Sequence, residues 1–83
     1  MKVKVYFQED VFIIQVPWST GYAELVEKLG QKIRQRGERR DNRPLRVKYK
    51  DEDGEMVLLE STMEVQMAFE LYRPDGLITL FVT

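Results

Sequence analysis

Four carboxylates crowd five positions, Asp51, Glu52, Asp53 and Glu55, around the single glycine Gly54. Three kinds of chemistry use such a cluster. Calcium is the first. An EF-hand loop needs acids at positions 1, 3 and 5, Gly at 6 and Glu at 12. Counted from Asp51, the glycine falls at position 4 and Thr62 at position 12, so the pattern fails twice. Acid–base catalysis is the second, and it needs two carboxylates whose surroundings drive their pKa values apart. Nothing in the sequence marks a pocket that would do so. The third is docking. An exposed acidic turn, continued by Glu64 a few residues on, suits Lys and Arg side chains of another protein.

The remaining composition narrows the field. The chain has 83 residues, no Cys and no His. Thiol nucleophiles, Cys/His zinc sites and His-based proton transfer are all excluded. No metal or other cofactor is expected. Eighty-three residues make one domain with one small core, which leaves little room for a catalytic pocket. The expectation is a non-enzymatic domain. The net charge of −1 conceals a division. Residues 1–50 carry 12 basic and 6 acidic side chains, a net of +6, while residues 51–83 carry one basic and 8 acidic, a net of −7. The apolar runs are too short to span a bilayer, and no secretory signal opens the chain. A soluble cytoplasmic domain, or one excised from a longer protein, is expected.

The elements that position these charges follow from periodicity. Val3, Val5 and Phe7 alternate with Lys2, Lys4 and Tyr6, which predicts a half-buried strand. Gln8 to Asp10 is a turn, and Val11 to Val16 is a second strand ended by Pro17. Tyr22, Leu25, Val26, Leu29 and Ile33 form a helical stripe, with Ser19 or Thr20 able to cap its start. Residues 34–44 contain no apolar side chain and predict a loop. Leu45, Val47 and Tyr49 alternate with Arg46, Lys48 and Lys50 in a third strand with a basic face. Asp53-Gly54 makes a tight turn into a fourth strand, Met56 to Leu59. Ser61 and Glu64 fit a capping box opening a second helix, and Leu77 to Val82 is a final, central strand. Phe7, Phe12, Tyr22, Phe69 and Phe81 are assigned to the core, and Trp18 to its edge. Met56, Met63 and Met67 are read as gap-fillers.

The order β-β-α-β-β-α-β suggests an α+β fold of the ubiquitin-like β-grasp type. Its mixed sheet would carry two helices and place the last strand between the first and third. That strand order is analogy with known folds.

Tyr49-Lys50-Asp51-Glu52-Asp53-Gly54-Glu55, followed by Val57, Leu59, Ser61, Glu64 and Val65, resembles the acidic motif of the Phox-and-Bem (PB-one) family. Val3-Lys4-Val5-Tyr6-Phe7 resembles that family's first strand with its signature lysine, and Ala68-Phe69-Glu70-Leu71-Tyr72 its second helix. The likeness covers essentially the whole chain. It implies a scaffolding module that pairs head-to-tail with another domain of the same family, acidic face to basic face, in polarity, oxidase or kinase pathways. It carries Asp51, Glu52, Asp53, Glu55 and Glu64 to the acidic face and Lys4 to the basic one. Lys2 joins Lys4 by strand alternation. Both faces on one chain also permit head-to-tail self-association.

Two features depart from the family pattern. Thr62 stands where many members have an acid, and the second strand offers only Gln15 where many have Arg or Lys. The basic face would then draw on Lys28, Lys32 or Arg46.

Two other readings compete. The basic stretch from Arg34 to Lys50 could attract nucleic-acid phosphates, yet it lacks exposed aromatics for stacking bases, and the overall charge is negative. A ubiquitin-like Ras-binding domain would dock through an edge strand.

Overall fold

The structure is a computed structural model that describes residues 1–35 and 44–83. Most of the expected basic loop, with Arg36, Arg39, Arg40 and Arg43, lies outside the described residues.

The seven expected strands and helices appear in the expected order. Strands β1 (Lys2–Phe7) and β2 (Asp10–Gln15) form a hairpin, followed by helix α1 (Tyr22–Gln35). Strands β3 (Val47–Lys50) and β4 (Met56–Leu59) form a second hairpin, followed by helix α2 (Thr62–Tyr72). A single 3-10 turn, Arg73–Asp75, then leads into strand β5 (Leu77–Val82). The sheet order is β2-β1-β5-β3-β4, so the last strand lies between the first and the third. Strand β5 is parallel to β1 and antiparallel to β3.

Alternation then divides the sheet into two faces. Val3, Val5, Phe7, Phe12, Val47, Leu59, Ile78, Leu80 and Val82 are buried in one cluster with Leu25, Leu29 and Ile33 of α1 and Val65, Ala68 and Phe69 of α2. Both helices therefore cover the same face. The other face is open and carries Lys2, Lys4 and Tyr6. Phe81 belongs to it: the ring lies against Tyr6, with centroids 5.3 Å apart and planes 12° from parallel. It is thus not a core residue of the kind expected. None of the described helices is long and apolar enough to cross a membrane.

The helix starts show how local bonds fix the second half of the chain. Ser61 is extended and accepts from the Glu64 N–H, as the capping box requires. The start of α1 differs from expectation. Thr20 donates its hydroxyl to the Pro17 carbonyl and does not cap the helix. Gly21 accepts the first helical bond, from Leu25, and the Glu24 carboxylate reaches back to the Gly21 N–H at 3.0 Å. The Tyr22 N–H is taken by the Thr62 hydroxyl of α2, at 2.9 Å. One side chain thus satisfies an orphan donor on the other helix, which gives Thr62 a structural role. Glu24 is committed to this cap.

Replacing Thr62→Val keeps the shape and removes the acceptor. A cost of about 1 kcal/mol is expected, read as a lower urea midpoint at unchanged slope. An unaltered midpoint would show that the inter-helix bond contributes nothing.

Candidate functional site

The β3–β4 turn is shaped by its first acid. Asp51 Oδ1 accepts the backbone N–H groups of Asp53 and Glu55, each at 2.9 Å. The Asp51 N–H donates to the Glu55 carbonyl, and the Gly54 N–H donates to the Asp51 carbonyl. Gly54 sits at φ 80°, in the left-handed region where a Cβ is strained. Four backbone and side-chain bonds therefore project Glu52, Asp53 and Glu55 outward, all exposed, while Asp51 itself is half-buried.

Glu64 approaches this cluster from α2. Its Oε1 accepts the Glu60 N–H at 2.7 Å and the Ser61 hydroxyl at 3.3 Å. Both bonds use one oxygen, so the second oxygen keeps its acceptor capacity. Glu64 is thus a cap and an available charge together. Behind the turn, the Tyr72 hydroxyl donates to the Lys50 carbonyl at 2.5 Å, tying α2 to the end of β3. Burial raises the Tyr49 phenol above its ordinary 10.0, and the nearby carboxylates of Asp51 and Glu52 push it in the same direction. The neighbourhood is electronegative.

Ligand atoms of Asp51, Asp53 and Glu55 lie within 4.8 Å of one another. Exposed acidic groups of this kind are common without an ion, and Asp51 Oδ1 is already bound to two N–H groups. No second feature of the turn points to a metal.

The basic face lies on β1. Lys4 is half-buried, between Ile13 of β2 and Thr79 of β5, with its ammonium 5.7 Å from the Tyr6 ring centroid. Lys2 is exposed one turn of the pleat away, between Gln15 and Leu77. The sequence did not reveal that Lys48 and Lys50 share this surface. Register does: Lys48 pairs with Phe81, on the open face, and Lys50 follows two residues on. The signal was present in the alternation of β3, but using it required knowing that β5 links β3 to β1. Lys28 reaches the end of β2, where it donates to the Gln15 carbonyl at 3.4 Å. Lys32 is half-buried on α1, and Arg46 is exposed at the start of β3.

Among the described residues, Lys2 and Lys4 form no ion pair with any acidic side chain. The acids of the turn and Glu64 form none either. An ion pair is present elsewhere, between Arg73 and Glu70 at 3.6 Å.

Two expectations about bulky residues are corrected. Trp18 is 43% exposed and does not cover the core edge; the Arg73 guanidinium lies 5.3 Å from its ring centroid. Met56, Met63 and Met67 fill no gaps, being 43%, 73% and 64% exposed.

Comparisons with known proteins agree on one family. The family profile described as PB1 domain matches residues 1–83. Protein kinase C zeta type of Oryctolagus cuniculus is 32% identical over 81 residues, which is 94% of this chain and 13% of that protein. The chain thus spans a small part of that relative. The solution structure of the PB1 domain of Cdc24p (long form) superposes with a TM-score of 0.73 at 21% identity, covering 99% of this chain and 92% of that one. The AtNBR1 PB1 domain gives 0.78 at 18% identity, covering 100% and 94%. These two likenesses concern the fold.

The geometry separates two neighbouring acids. Asp51→Ala removes two accepted bonds and should cost about 1–2 kcal/mol of stability, whereas Asp53→Ala should stay within about 0.5 kcal/mol of wild type. Urea unfolding of both variants checks this, and equal losses would contradict the assigned role of Asp51.

Proposed function

The chain belongs to the PB1 domain family, a family of protein–protein interaction modules, and on that premise we propose that it pairs head-to-tail with another PB1 domain. Asp51, Glu52, Asp53, Glu55 and Glu64 form the acidic face of that pairing. Lys4 and Lys2 form the basic face, joined by Lys48 and Lys50 on the same side of the sheet. The module acts by docking and not by catalysis. It recruits its parent protein to a second signalling protein.

One observation carries this reading. Both charged faces are built on fixed backbone, yet neither is neutralised by the other within the chain. Each single exposed ion pair contributes only about 0–1 kcal/mol. Several docked together exclude water, share the ordering cost and speed the encounter of opposite potentials. The turn is well suited to this because Asp51 and Glu64 are already held by backbone bonds, so little freedom remains to be lost on docking.

The test uses calorimetric titration against the PB1 domain of protein kinase C zeta type, and light scattering of the chain alone. Lys4→Glu should weaken pairing through the basic face by about tenfold or more, and Asp53→Ala should weaken pairing through the acidic face. Raising salt should weaken both. Growth in mass with concentration that is lost in Lys4→Glu would identify self-association. If both variants pair like wild type in every combination, the assignment of the faces is wrong.

A further inference from the structure

Helix α2 is apolar on two sides. Val65, Ala68 and Phe69 turn into the core, yet Met63, Met67 and Leu71 lie on the outer side and are 73%, 64% and 37% exposed. Their i, i+4, i+8 spacing makes a continuous stripe about 12 Å long. With Tyr49, Glu52 and Glu70 they line an open groove of about 560 Å³. Methionine pairs exposed in this way are adaptable contact surfaces, because the thioether is unbranched and polarizable.

The rim states what charge the occupant carries. Glu52 of the β3–β4 turn and Glu70 of α2 both line the groove. The Glu70 pair with Arg73 is exposed, at 62% and 74% side-chain accessibility, and is readily exchanged for another cation. The stripe also states what backbone the occupant has. A helix surface offers no free N–H or C=O groups to an extended peptide, whose own backbone groups would be desolvated without partners. A helical occupant brings its backbone already satisfied.

We propose that this groove docks a cationic amphipathic helix of a partner protein, with apolar residues at i, i+4 spacing on Met63, Met67 and Leu71, and Lys or Arg over Glu52 and Glu70. The site goes beyond the head-to-tail pairing. It uses the outer side of α2, and Glu52 alone is common to both. A contact of two to three helical turns is small, and its affinity belongs in the micromolar, transient range.

The probe is a synthetic 18-residue peptide of Leu and Lys with one apolar face. One control has the same composition in scrambled order, and another has Glu for every Lys. Binding is followed by calorimetry and by the methyl resonances of Met1, Met56, Met63 and Met67. The expected result is micromolar binding that shifts Met63 and Met67 and leaves Met56, on the open face of the sheet, unmoved. Scrambling the peptide, or Met67→Gln, should each weaken it about tenfold. Equal binding of the scrambled peptide would reduce the effect to bulk charge and overturn the proposal, as would equal binding of the Glu peptide or shifts centred on Met56. A chain that pairs through Lys4 and Asp53 but ignores the peptide refutes the groove alone. One that binds the peptide as described but fails to pair leaves the groove standing and refutes the pairing.

Discussion

Strand β5 lies between the two hairpins, and the availability of both charged faces depends on it. It hydrogen-bonds in parallel to β1 and antiparallel to β3, so β1, which carries Lys2 and Lys4, is never a neighbour of the hairpin whose turn carries the acids. Two strand spacings separate β1 from β3 by about 10 Å. At that distance in water, two unit charges attract by only about 0.4 kcal/mol before screening, and salt at physiological strength screens beyond about 8 Å. Lys2 and Lys4 therefore gain almost nothing from the acids of their own chain. Were β1 paired directly with β3, Lys4 would lie within reach of the turn, and both faces would be spent internally.

The same strand decides which cations act together. The outward alternation of β1 and the outward alternation of β3 are separate facts in the sequence. Strand β5 brings them onto one surface, where Tyr6 and Phe81 stack, Lys48 pairs beside Phe81, and Lys2 and Lys4 follow along β1. This makes good part of the charge that β2 lacks at Gln15. Lys28 adds to the same edge from the far side, through its bond to the Gln15 carbonyl. The Lys4 ammonium lies over the Tyr6 ring of this pair, 5.7 Å from its centroid.

Period-two alternation and a glycine turn were enough to read the strands, because a one-residue slip would turn every core side chain outward. The capping box was equally legible, since Ser61 and Glu64 bond within four residues of each other. What stayed hidden depended on distant contacts. Ser19 and Thr20 were natural caps by type, but the Tyr22 N–H is claimed by Thr62, 40 residues away. Trp18 looked like a core cover until Arg73 supplied a cation beside it. The methionines of α2 were misread because a helix apolar on both sides gives no periodic hint of which side meets the core. The order of the strands came from resemblance, because no local pattern states which strand will insert between two others.

The acidic turn shows why residue type alone could not divide labour among its carboxylates. Asp51, Glu52, Asp53 and Glu55 carry the same charge, and by charge alone they are interchangeable. Geometry makes them unequal. Asp51 directs one oxygen at two N–H groups of its own turn, so its charge is partly used in holding the loop. Those bonds fix the backbone from which the other three side chains project. Glu64 does the same at the start of α2, where one oxygen holds two local donors and the other is left to act outward. Such a face is defined less by the number of its charges than by the held backbone that carries them. Carboxylates anchored on a held turn range over a narrower space than those of a flexible acidic tail of equal charge.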